Sequence, residues 1–138
     1  MLHVSFAIGN SWLIDTLIRM KDYFNSYTID RLALVGAQAA FEDKAYFKEA
    51  TERIISTREG VMEKMRLLGF DVLPSQANFV FATHPMYLAK WLYTELKKEG
   101  ILVRHFDKQS IDNYLRITIG TDDQMEKFFS KLHEIINI

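Results

Sequence analysis

Residues 113–121 read Asn113-Tyr114-Leu115-Arg116-Ile117-Thr118-Ile119-Gly120-Thr121. Leu115, Ile117 and Ile119 alternate with Tyr114, Arg116 and Thr118, the period-two pattern of a strand with one apolar and one polar face. Arg116 is therefore expected in mid-strand, on the face away from the core aliphatics. Its guanidinium stays charged at ordinary pH and carries five donors in a planar fork, so a partly buried Arg116 needs a planar anion to face it. The strand alone leaves two sources open. One is an internal Asp or Glu, or solvent on an edge strand; the other is a ligand.

Downstream, Thr121 and Gln124 form a capping-box pattern that opens a last helix, striped by Met125, Phe128, Phe129, Leu132, Ile135 and Ile136. Upstream, residues Ile101 to Phe106 read as a strand with Arg104 near its end, preceded by a helix from Met86 to Glu99 that Gly100 stops. Before these come two short strands, Phe70 to Leu73 and Ala77 to Ala82, joined by Pro74-Ser75-Gln76. A long amphipathic helix from Asp43 to Leu68 turns Phe47, Ala50, Ile54, Val61, Met65 and Leu68 inward, its charged residues read as solvated, and Gly69 caps it. From Gly69 the order is strand, strand, helix, strand, strand, helix. This predicts an α+β fold with a small, mostly antiparallel sheet and helices packed on one side, preceded by a connecting helix and the long amphipathic helix.

The amino-terminal third is less regular. Leu2 to Ile8 read as a strand closed by Gly9, with Asn10 as the N-cap of a helix from Ser11 to Phe24. A strand beginning at residue two has no earlier element to pair with, which suggests a missing neighbour. After a polar break at Asn25 to Thr28, Thr28 is expected to cap a second helix reaching Glu42. That helix is apolar on nearly every side and has small residues Ala33, Gly36, Ala37 and Ala40 along one flank. It needs cover from a second domain or subunit, or else lies at the centre of its own domain.

The 138 residues suit one ordinary domain, and with 49% hydrophobic residues, 25% charged residues and a net charge of -1 the chain reads as globular and a poor nucleic-acid binder. The absence of cysteine excludes disulfides, thiolate metal sites and a cysteine nucleophile, and fits a cytoplasmic location. The start has neither the basic region nor the apolar run of a signal peptide, and no stretch reaches a membrane span in length.

Arg104 and Arg116 stand out because they fall on expected strands. If those strands are neighbours, the two guanidinium groups can grip both ends of a small dianion. There is no phosphate-cradling glycine loop, no nucleophile elbow and no metal-spaced His pair, since His3, His84, His105 and His133 are scattered; no metal ligand set is expected. None of the ten lysines has the apolar setting that depresses a lysine pKa for Schiff-base chemistry.

Three segments carry a family resemblance: Pro74-Ser75-Gln76-Ala77-Asn78-Phe79-Val80-Phe81, Gly100-Ile101-Leu102-Val103-Arg104-His105-Phe106, and Asp112 through Thr121. Together with Phe6-Ala7-Ile8-Gly9-Asn10, Asn25-Ser26-Tyr27 and Asp30-Arg31-Leu32-Ala33, they resemble the C-terminal part of the histidinol-phosphate aminotransferases. These are PLP-dependent fold-type I enzymes of histidine biosynthesis. The resemblance implies that Arg116 holds a substrate α-carboxylate, that Arg104 meets a substrate phosphate, and that Asn25 lies in the segment crossing near the active site. It also implies residues 1–42 as the end of a large domain with an interdomain connecting helix, and residues 43–138 as the C-terminal small domain.

The sequence departs from the family in places. The family's Schiff-base lysine lies upstream of the Phe6–Asn10 segment and is not in this chain, so no catalytic residue is assigned. His3 stands where the family has a PLP-phosphate arginine, and Ser5 where it has a glycine, so no intact cofactor-binding residue is assigned. Transamination needs that lysine both to carry the cofactor and to move a proton. The expectation is an aminotransferase portion that binds an anionic amino-acid-like substrate, binds no PLP alone and is inactive alone. Its expected partners are a missing large domain or second subunit and further copies of itself, with neither nucleic acid nor membrane. The alternatives, both without catalysis, are an orphan small-anion-binding domain and a self-associating or partner-binding domain.

Overall fold

The computed structural model describes residues 4–26 and 29–136. The chain divides into two compact units, Met1–Lys48 and Glu49–Ile138. In the first, helix α1 (Ser11–Phe24) starts at Asn10, whose side chain accepts the Trp12 N–H at 3.0 Å. Helix α2 (Arg31–Glu42) is capped by Asp30, whose carboxylate accepts the Ala33 N–H at 2.9 Å. The expected cap, Thr28, lies outside the described residues, as does His3. Residues 4–10 form no strand, contrary to expectation. A strand needs a ladder partner to satisfy its N–H and C=O groups, and none is offered to it among the described residues.

Helix α2 is not a central helix of this chain. Ala33 is its only buried residue, while Leu32, Val35 and Phe41 are each at least 66% exposed. Helix α1 has no buried residue and likewise leaves Trp12, Tyr23 and Phe24 open. So many large apolar side chains in contiguous helices mark a surface made to be covered.

Helix α3 (Lys44–Leu67) ends at Gly69, whose φ of +82° is left-handed and whose missing Cβ leaves room for the His84 ring, 3.1 Å from where that atom would stand. The second unit then runs β1 (Asp71–Val72), β2 (Phe79–Thr83), α4 (Ala89–Lys98), β3 (Arg104–His105), β4 (Leu115–Thr118) and α5 (Asp122–Ile136). All strands pair antiparallel in the order β1-β2-β4-β3. The strands are shorter than the sequence pattern allows: of Ile101 to Phe106 only Arg104 and His105 join the sheet, and Leu102 is 80% exposed.

One face of the sheet carries the core. Val80 and Ala82 of β2 and Leu115 and Ile117 of β4 pack with Val61, Met62 and Met65 of α3, Leu92 and Leu96 of α4, and Met125, Phe128, Phe129 and Leu132 of α5. The expected inward stripe of α3 is realised only from Val61 onward; Phe47 is 67% exposed. The capping box of α5 forms, with Gln124 Oε1 accepting the Thr121 N–H at 3.0 Å and Thr121 Oγ1 accepting the Gln124 N–H at 3.4 Å. His84 is buried and bound at both ring nitrogens. Its Nδ1 accepts the Met86 N–H at 3.0 Å, which leaves Nε2 as the donor to Leu68 O at 3.2 Å. Among the described residues no helix is long and apolar enough to cross a membrane, and no group of three His, Cys, Asp or Glu could hold a metal ion.

Candidate functional site

The site lies on the other face of the sheet. In β2 the alternation buries Val80 and Ala82 and leaves Phe79 and Phe81 half-buried; in β4 it buries Leu115 and Ile117 and leaves Arg116 half-buried. The register places Phe81 opposite Arg116 on one side and Arg104 opposite Arg116 on the other. The two arginines singled out in the sequence are thus direct cross-strand neighbours. Two like charges in such a pair repel, and a fold gains nothing from placing them so.

Arg116 is held by aromatic rings. Its guanidinium carbon is 5.4 Å from the Phe79 ring centre and 5.9 Å from that of Phe106, and the Arg104 guanidinium carbon is 5.2 Å from Phe106. Phe81 stacks on Tyr114 with ring centres 4.8 Å apart and meets Phe106 edge-on at 6.1 Å. Among the described residues no carboxylate stands within ion-pair distance of either guanidinium. The internal Asp or Glu partner that the strand alone left open is therefore not there. Arg116 Nε is buried and has no hydrogen-bond partner. A buried donor left unmade costs about 1–3 kcal/mol.

Two open cavities meet at Arg116. One, of about 430 Å³, also has Tyr93, Arg104, His105 and Thr118 in its wall. The other, of about 490 Å³, is walled by the loop Pro74 to Ala77 together with Phe79, Phe81 and Phe106. The loop is fixed from behind by Arg58 of α3. This side chain is 8% exposed, donates from Nη1 to Ala77 O at 3.2 Å, and pairs with Glu59 at 2.8 Å. Ser75 Oγ donates to Phe79 O at 2.6 Å and accepts the Ala77 N–H at 3.2 Å, closing the turn. Arg58 corrects the reading of the α3 charges as solvated. Its signal was in the spacing, since Arg58 lies on the same stripe as Val61, Met62 and Met65.

Asn113, at the head of β4, is a second residue with a role that its sequence position does not reveal. Leu88 offers no side-chain cap to α4, and Asn113 Oδ1 accepts the Ala89 N–H at 2.8 Å instead, while Nδ2 donates to Thr83 Oγ1 at 3.2 Å. Asn25 is exposed at the carboxyl end of α1, where its backbone N–H donates to Lys21 O at 2.8 Å, and it belongs to the other unit.

The family profile described as aminotransferase class I and II matches residues 2–132. The chain belongs to this family. Over 135 residues this aminotransferase-family chain is 50% identical to the histidinol-phosphate aminotransferase of Clostridium acetobutylicum, and over 136 residues 52% identical to that of Clostridium beijerinckii. The alignments take in 98% and 99% of the chain but only 38% of each relative, so the chain spans well under half the length of these enzymes. A solved histidinol-phosphate aminotransferase from Sinorhizobium meliloti, in complex with pyridoxal-5'-phosphate, superposes with a TM-score of 0.80 at 25% identity, covering 89% of this chain and 34% of that one.

The family is PLP-dependent. Every lysine is exposed except Lys131, which is tied to Glu134 at 2.7 Å and Glu99 at 3.2 Å. None is the buried, uncommitted amine that imine chemistry requires.

Proposed function

We propose that this chain supplies the substrate-anion face of a histidinol-phosphate aminotransferase, with residues 43–138 acting as its small domain and residues 1–42 as the connection to a cofactor-bearing part. Arg116 receives a substrate carboxylate through its planar fork, and Arg104 receives the phosphate or second carboxylate. The observation that carries the reading is the unpartnered, buried Nε of Arg116, set directly opposite Arg104 with no carboxylate near either among the described residues. A charged donor that the fold itself leaves unmet is best explained by an anion from outside.

The chemistry divides accordingly. PLP, bound elsewhere in such an enzyme, would supply the electron sink for amino-group transfer. The residues of this chain bind and orient: the ring of Phe79 keeps the Arg116 fork in plane and limits its access to water. Without an available lysine the chain binds but does not transfer an amino group. The apolar faces of α1 and α2 suit cover by a further domain or subunit of the same enzyme, whose place in histidine biosynthesis is cytoplasmic.

The test is calorimetric titration of the 138-residue chain with glutamate, an amino acid that carries a carboxylate for each arginine. Saturable binding that disappears in Arg116→Ala supports the reading, and no heat at millimolar ligand rejects it. Mixed with PLP alone, the chain is expected to develop no absorbance band of a lysine-bound cofactor. A stoichiometric band would overturn the assignment of binding without catalysis.

A further inference from the structure

Phe106 belongs to no regular element; it follows β3 directly, and its ring serves both arginines of the site. Arg104 and Arg116 are opposite each other in register, which for two cations is unfavourable. The face of an aromatic ring is negative and attracts a guanidinium within about 6 Å of its centre. At 5.2 Å and 5.9 Å the single Phe106 ring meets that condition for both. Arg116 has a second ring in Phe79, at 5.4 Å, whereas Arg104 is exposed and among the described residues has Phe106 alone. Removal of Phe106 would therefore leave Arg116 in place and release Arg104 to move away from it.

We propose that Phe106 is a positioning residue that holds Arg104 at chelating distance from Arg116 and so sets a preference for ligands carrying two anionic groups over ligands carrying one. The inference rests on the reading that Arg104 and Arg116 receive an anionic ligand, and adds to it the side chain that makes the two act together. A monoanion needs only Arg116, so its binding is indifferent to Phe106. A dianion needs both, and its advantage depends on their spacing being fixed before it arrives.

The test uses glutarate and pentanoate, five-carbon chains with two carboxylates and one, titrated into the full chain while the backbone amide resonances of β3 and β4 are followed by NMR. In the wild type glutarate is expected to bind about five-fold more tightly than pentanoate, in Phe106→Leu the ratio falls to about one with pentanoate unchanged, and Phe106→Tyr restores it. A readout independent of ligand accompanies this: the order of the Arg104 side chain, read from Nε relaxation, is expected to be high in the wild type and Phe106→Tyr and to fall in Phe106→Leu. If Phe106→Leu keeps the ratio while Arg116→Ala abolishes binding, the role of Phe106 is overturned and the two-arginine site stands. If the wild type binds both acids equally or not at all, the two-arginine reading fails and takes the inference with it.

Discussion

Arg104 and Arg116 face each other across adjacent antiparallel strands, with no carboxylate in reach among the described residues and one buried nitrogen unbonded. The fold carries this arrangement as a cost. Arg116→Leu is expected to relieve the like-charge pair and the unmet donor while losing two ring contacts, for a net stabilisation on the order of 1 kcal/mol. Urea denaturation measures it. A destabilisation of that size would show that Arg116 serves the fold rather than a ligand.

Arg58 has the opposite character, being buried with its donors met. In Arg58→Met the Ala77 carbonyl loses its partner and Glu59 its cation, and the expected loss is about 2 kcal/mol. Hydrogen exchange at residues 75–78 should quicken along with the drop in stability. An unchanged denaturation midpoint would mean that the loop holds itself.

Asn113→Ala should cost about 1 kcal/mol, the usual value of a lost helix cap, because it is the side chain that accepts the first N–H of α4. Asn113→Asp keeps that acceptor and puts a negative charge at the helix start, so it should recover most of the loss. Thermal unfolding of the two variants beside the wild type decides the point.

Lys131 should release its proton at a higher pH than an ordinary lysine. Hydrogen bonds to Glu134 and then to Glu99 favour its charged form, outweighing partial desolvation. A folded-state pKa above the unfolded value means that the contribution to stability is complete at neutral pH and is lost as pH rises through the folded value. Following the Lys131 ε-carbon by NMR, Glu134→Gln should bring the titration back toward the ordinary range. No movement would remove Glu134 as the cause.

The exposed apolar faces of α1 and α2 should make the isolated chain self-associate. Light scattering is expected to give a mass above 16.1 kDa that rises with concentration, and Leu32→Glu with Phe41→Glu to lower it. A constant monomer mass at all concentrations would show that these faces stay uncovered in water.

Much of this was legible in the chain itself. Helix α1 begins and ends where its stripe and Asn10 place it, α5 opens on the Thr121 and Gln124 box, and Arg116 lies in mid-strand on the face opposite the core. These features depend on groups a few residues apart, whose geometry follows from the 3.6- and 2-residue periods. The expected strand at residues 2–8 failed for the converse reason: an apolar run is only a strand when another strand pairs with it.

By itself, the sequence determined the element order from α1 onward, the two faces of β4 and the placing of Arg104 and Arg116 on strands. Tertiary structure alone decided that these arginines are register partners, that Phe79 and Phe106 flank Arg116, that Arg58 is buried behind the Pro74–Ala77 loop and that Asn113 caps a helix 24 positions away. Strand order and register are set by the packing of the whole apolar face against three helices. A contact between distant residues is a product of that packing, and no local pattern encodes it.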